Sequence, residues 1–122
     1  AICGLNPHCE NFLQKKSEEN KDIVPAINYL KKKKVNIKGP FAADTIFLDN
    51  MRKKYDVIIG MYHDQVLTPI KTIHNFNAIN ITVGLPVIRI SPDHGPNFNM
   101  LGKNKSNPQS LINSLKFLNK IN

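Results

Sequence analysis

The run Asp56-Val57-Ile58-Ile59-Gly60-Met61 limits the architectures open to this chain more than any other stretch. It is compact, apolar and bounded by polar residues, the pattern of a strand buried on both faces of a parallel sheet. Parallel strands need long crossover connections, usually helices. The flanking sequence therefore has to supply helical patterns.

It does so on both sides. From Ser17-Glu18-Glu19 onward, Ile23, Val24, Ile27 and Leu30 recur at helical spacing, with acids in the first turns and lysines at the end. Val35-Asn36-Ile37 then reads as a short extended piece running into Gly39-Pro40, and Ala42 to Leu48 as a brief helix. His63 to Ile73 is expected to be helical, interrupted or kinked at Pro69, which lacks a backbone donor. Ala78 to Val83 and Val87 to Ile90 read as two strands divided by Gly84-Leu85-Pro86. From Pro108 onward, Leu111, Ile112, Leu115, Leu118 and Ile121 share one helical face. The alternation predicts an α/β fold, with residues 1–122 as a single layered unit. There is no internal repeat or low-complexity linker, and the chain opens inside a strand, as expected of part of a longer protein.

A chain of 122 residues can bury a modest core. No apolar run approaches membrane-spanning length and no signal peptide is discernible, so no membrane association is expected. Cys3 and Cys9 are too few for a disulfide scaffold and fit a reducing, cytoplasmic setting. They lie close to His8, but no second Cys or His pair stands at finger-like spacing. The net charge of +8 raises the question of nucleic acid. Almost all of the excess is Lys, with Arg only at 52 and 89, and Ile and Asn are abundant alongside it, as under a codon bias. The densest run, Lys31 to Lys34, falls at the end of a helical pattern, where cations complement the helix dipole. No nucleic-acid partner is expected.

Chemistry gathers at the ends of the apolar runs. Gly4-Leu5-Asn6-Pro7-His8 places a histidine on a turn directly behind the apolar start, and Met61-Tyr62-His63-Asp64-Gln65 ends the central strand in polar side chains. Open α/β sheets build their sites beyond the carboxyl ends of the strands. If the two ends lie side by side, the imidazoles of His8 and His63 converge as divalent-metal ligands do; separately, each can be an incidental surface or core histidine. Lys71, Asn80 and Arg89 follow at equal intervals of nine, a spacing that matches neither a helix nor a strand period. Asn80 and Arg89 interrupt apolar strands, and a buried guanidinium needs an anionic partner: a ligand phosphate or carboxylate, or an internal acid such as Asp56 or Asp93. Asp93-His94-Gly95-Pro96 closes the last strand with another turn.

With these motifs in order, the chain resembles the C-terminal portion of the 4-hydroxythreonine-4-phosphate dehydrogenase family. The matching stretches are GLNPH, GPFAADTIF, MYHDQVLTPIK, INITVGLPVIR and DHG. The resemblance implies part of an isocitrate/isopropylmalate dehydrogenase-like α/β/α fold, from a longer two-domain enzyme of pyridoxal phosphate biosynthesis. It implies NAD and a divalent metal ion (Zn, Mg, Mn or Co) as cofactors, and a phosphorylated amino-acid substrate. His8 and His63 would be metal ligands, with a third histidine outside this chain. Lys71, Asn80 and Arg89 would bind the substrate phosphate, Asp44 would stand beside the reacting centre, and His94 and Gly95 would contact NAD. A homodimer with a shared site is implied, His63 serving the partner's.

Three departures stand out. The family's glycine-rich stretch after GLNPH is replaced by Cys9-Glu10-Asn11-Phe12-Leu13; Pro96 and Asn97 replace small residues; Asn104 replaces a glycine. The rival readings are a sister dehydrogenase acting on threonate or erythronate 4-phosphate, a basic nucleic-acid-binding domain, and an inactive remnant of the fold. The absence of aromatics among the lysines argues against the second.

Overall fold

The computed structural model describes residues 1–9, 16–96 and 98–121. The chain resolves into two compact units, Ala1–Pro69 and Ile70–Asn122.

The first unit is organised by its opening residues. Ile2 donates its N–H to the Lys38 carbonyl and accepts from Phe41 N–H, each at 2.9 Å, and Gly4 N–H reaches the Phe41 carbonyl at 2.9 Å. On the other side Cys3 N–H donates to Ile59 and Ile59 N–H to Ala1, again at 2.9 Å. The segment is thus flanked by two parallel neighbours, through Ile2–Ile59 and Cys3–Phe41 pairings. Gly39 makes this approach possible: its φ of +141° disfavours a side chain, and a Cβ there would stand 2.5 Å from the Ile2 carbonyl oxygen.

A π-helical turn, Glu19–Ile23, leads into α1, Val24–Lys32. Pro25 stands where the π-helical turn passes into α1, and Lys31 and Lys32 occupy the last turn, where cations complement the helix dipole. Ile23 and Ile27 bury against Ile2 and Ile37, with Leu30 packed beside them. That is the core of this unit, and the exposed lysines at 31–34 cap its solvated end. Two short helices follow, α2 (Ala43–Ile46), whose Ile46 is fully buried, and α3 (Asp49–Arg52). Then α4, His63–His74, runs on through Pro69.

The strand expected at Asp56 to Met61 is corrected. Its parallel pairing is present at Ile59, but the segment is not buried: Val57 is 63% exposed, and Ile59 and Met61 are exposed as well. The apolar run suits a two-sided covering that the described residues do not provide.

The second unit continues from α4 through a 3₁₀ turn, Asn75–Asn77, into β1 (Ile79–Thr82) and β2 (Arg89–Pro92), an antiparallel pair. A second 3₁₀ turn, Phe98–Met100, precedes α5, Gln109–Ile121. The helix forms where expected, yet its inward face differs from the one anticipated. Ser110 and Ser114 are buried, whereas Leu111, Ile112, Leu115 and Ile121 are exposed and Leu118 is half-buried. The reason is polar. Ser110 Oγ accepts from Asp93 N–H at 2.8 Å and donates to the Ala78 carbonyl at 2.6 Å, and Asn113 Nδ2 donates to the Asn77 carbonyl at 2.9 Å. Those backbone groups at the hairpin's open end require partners, and supplying them rotates the leucine stripe outward.

Candidate active site

In the first unit the GLNPH turn is built around Asn6. Its Oδ1 accepts His8 N–H at 2.9 Å, closing an Asx turn across Pro7, and its carbonyl accepts Cys9 N–H at 3.1 Å. Its own N–H donates to Glu19 Oε1 at 2.5 Å. Glu19 is only 1% exposed, so a buried carboxylate reaches out of the π-helical turn to hold the histidine-bearing loop. Gly4 leaves room for this: a Cβ there would meet Cys9 Sγ at 2.5 Å. Burial, followed by the charges of Glu19 and Asp44 against a Gly4 backbone hydrogen bond, holds the Cys9 thiol above its ordinary range. Asp44, in the first turn of α2, is exposed and near enough to this loop to act on it.

The second histidine turn is tied to the first. Gln65 is buried; its Nε2 donates to the Gly4 carbonyl at 2.7 Å and its Oε1 accepts Met61 N–H at 2.7 Å. Both imidazoles stay exposed. The Nδ1 of His63 pairs with Asp64 Oδ1 at 2.7 Å, which leaves Nε2 for a ligand. An imidazole oriented by a carboxylate is a common form of metal-binding histidine, so the donor chemistry suits a divalent ion. Among the described residues no set of three His, Cys, Asp or Glu side chains stands close enough to hold one alone.

In the second unit the hairpin register arranges the polar residues. Asn80 opposes Ser91 and Thr82 opposes Arg89. Alternation along each strand puts Asn80, Thr82, Arg89 and Ser91 on one face, with Ile79, Ile81, Ile90 and Pro92 on the other. The buried setting expected for Arg89 is corrected: the residue is exposed, and its Nη1 donates to Thr82 Oγ1 at 2.8 Å, not to Asp56 or Asp93. An edge of a two-stranded sheet leaves a long cation in water, so no acid is needed to offset its burial. Asp93 pairs with Lys71, whose Nζ lies 3.0 Å from Oδ2 and also donates to the Asp93 carbonyl. Asp93 follows β2 directly, so Lys71 is fastened just past that end of the hairpin.

His94 and Gly95 are exposed and line an open cleft of about 410 Å³ with Phe76, Pro96, Met100 and Lys105. Asn104 takes φ +49°, a left-handed backbone that glycine adopts freely and asparagine tolerates. Of the other departures, residues 10–13 and Asn97 lie outside the described residues.

Glu19, Gln65 and Ser110 carry much of this geometry, and no pattern in the sequence assigned them such a role. Only their burial signals it: polar side chains with little solvent access need dedicated partners.

Residues 1–118 match the model of a family described as Pyridoxal phosphate biosynthetic protein PdxA. A 4-hydroxythreonine-4-phosphate dehydrogenase of Xanthobacter autotrophicus is 43% identical over 120 residues, 98% of this chain and 34% of the relative. A D-threonate 4-phosphate dehydrogenase of Cupriavidus necator is 42% identical over 116 residues, 94% of this chain and 35% of that protein. The crystal structure of a 4-hydroxythreonine-4-phosphate dehydrogenase from Burkholderia phymatum matches with a TM-score of 0.71 at 39% identity, covering 95% of this chain and 36% of that one. The relatives are dehydrogenases, and the mixed helix and sheet described above follows theirs. The chain belongs to the PdxA family. It spans 34–36% of the length of these relatives.

Proposed function

We propose that this chain is the C-terminal part of an NAD- and divalent-metal-dependent 4-hydroxythreonine-4-phosphate dehydrogenase. The enzyme oxidises the substrate's 3-hydroxyl, and the resulting β-keto acid loses carbon dioxide. The observation that carries the reading is the polar row on the hairpin. Asn80 and Arg89, scattered in sequence, share one face of the hairpin, and Lys71 is held at Asp93 just past the end of β2; two cations and an amide are the donor set a phosphate monoester takes.

In this reading Lys71 and Arg89 grip the phosphate and contribute remote binding energy that holds the reacting carbon in place. Asp44 stands beside the 3-hydroxyl as the carboxylate available to its proton. His8 and His63 offer imidazole nitrogens to the metal, the latter held by Asp64. The third ligand comes from outside residues 1–122, and the site is shared across a homodimer, with His63 serving the partner's. His94 and Gly95, on the cleft with Phe76 and Lys105, receive the dinucleotide: an aromatic ring suits a flat base and a lysine suits a phosphate. When bound, the metal supplies Lewis acidity toward the hydroxyl and NAD supplies the hydride acceptor. The enzyme works in the cytoplasm.

The test is NADH formation by the full-length protein from 4-hydroxythreonine 4-phosphate with an added divalent ion. Turnover should vanish on chelation and in His8→Ala and His63→Ala, and residues 1–122 alone should be inactive. Robust NAD reduction by the isolated chain, or turnover indifferent to chelation, would overturn the reading. The 42% identity to a D-threonate 4-phosphate dehydrogenase supports a second substrate in the same class. Comparing kcat/KM for the two substrates separates them.

A further inference from the structure

The interactions of Lys71 extend past the phosphate-binding role proposed for it. A lysine on a helix surface ordinarily samples many rotamers, and only a held ammonium presents its donors in a fixed direction. Here the side chain of Lys71 is 41% exposed, yet its ammonium contacts both the backbone carbonyl of Asp93 and Oδ2, the latter at 3.0 Å. An ammonium has three N–H donors and no acceptor. Two are engaged by a single residue, and among the described residues the third has no recorded partner and can serve a ligand.

Asp93 is itself held. Its side chain is 12% exposed, and its N–H donates to Ser110 Oγ at 2.8 Å. Ser110 has no exposed surface, and its hydroxyl donates onward to the Ala78 carbonyl at 2.6 Å. Ser114 Oγ in turn donates to the Ser110 carbonyl at 2.9 Å. A continuous relay of hydrogen bonds therefore runs from the entry of β1, through the first turn of α5, to the exit of β2, and ends on Lys71. A solvent-exposed ion pair for solubility would need none of this support. An acid beside a proposed phosphate site is also unfavourable by charge alone, so its presence calls for a compensating use.

We propose that Asp93, braced by Ser110, is a positioning residue that orients the Lys71 ammonium toward the phosphate of the substrate. The proposal rests on the phosphate role given to Lys71 above. Asp93 acts through Lys71 and does not touch the substrate.

The experiment is a double-mutant cycle in the full-length enzyme, measuring KM, kcat, competitive inhibition by inorganic phosphate, and Tm. Asp93→Ala should raise KM roughly tenfold, weaken phosphate inhibition alike and leave kcat within about twofold, as loss of a charge-assisted contact predicts. The same change in a Lys71→Ala background should alter neither KM nor phosphate inhibition. Asp93→Asn keeps an acceptor oxygen and should fall between, which also serves if the alanine variant folds poorly. An Asp93→Ala or Asp93→Asn enzyme with unchanged KM, or an equal fold-change with and without Lys71, would overturn the proposal. Lys71→Ala with unchanged KM would instead overturn the phosphate role of Lys71, so the two failures are distinguishable.

Discussion

Gln65 donates its amide N–H to the carbonyl of Gly4 at 2.7 Å, joining residues 61 positions apart and linking the turn that carries His8 to the helix start that carries His63. Its other amide atom accepts Met61 N–H at 2.7 Å, so both polar ends are used inside the fold. Replacing it with Leu strands a carbonyl and an N–H. Gln65→Leu should cost about 1–3 kcal/mol, read as a lower urea midpoint with an unchanged slope. It should also weaken metal binding in the full-length enzyme, measured by titration calorimetry. A variant as stable as the parent would show that water replaces both contacts.

Gly39→Ala should be as damaging. The residue combines φ +141° with a virtual Cβ 2.5 Å from the Ile2 carbonyl oxygen, which is backbone and cannot rotate away. Strain of about 1–3 kcal/mol is expected. Because Ile2 belongs to the core with Ile23, Ile27 and Ile37, hydrogen exchange should rise across all four together.

Cys3 predicts a pH dependence. Burial, first, and the neighbouring Cys9 hold its thiol above the ordinary range. A raised folded value means the fold favours the neutral thiol. This stabilisation is complete below the unfolded value, near 8.5, and is lost as the pH rises through the folded one. Unfolding free energy should decline with alkaline pH, and Cys3→Ala should flatten that decline. An unaltered slope in the variant would assign the dependence elsewhere.

Arg89→Lys separates binding from stability. The guanidinium is exposed and contacts only the hydroxyl of Thr82 among the hydrogen bonds described, so the fold should change by no more than about 0.5 kcal/mol. Loss of the bidentate fork should weaken substrate binding by about 1–3 kcal/mol. A drop in Tm with KM intact would remove Arg89 from the site.

The helices were largely legible in the sequence because their signals are local. Acids in the first turns, the Ile23/Ile27/Leu30 spacing and a terminal lysine run each act within a turn or two of where they stand, and α1 and its π-helical entry form there. The same holds for the brief helix α2 and for the two strands around Gly84-Leu85-Pro86, while α4 forms where expected but continues through Pro69, where an interruption or kink was expected. The run at 56–61 misled because an apolar strand pattern reports what a segment can bury against, not what covers it.

Residue chemistry was thus set by the sequence: two histidines on turns after apolar runs, two cations and an amide available to an anion. Tertiary structure decided their company. The interval of nine between Asn80 and Arg89 has no period, yet the register of β1 against β2 puts both on one face, because antiparallel pairing matches residues across a turn of any length. Lys71 meets Asp93, and α5 turns Ser110 rather than Leu111 inward, because backbone groups left open at the hairpin's end must find partners. Such demands arise only once distant segments meet, so no local pattern of residues could have announced them.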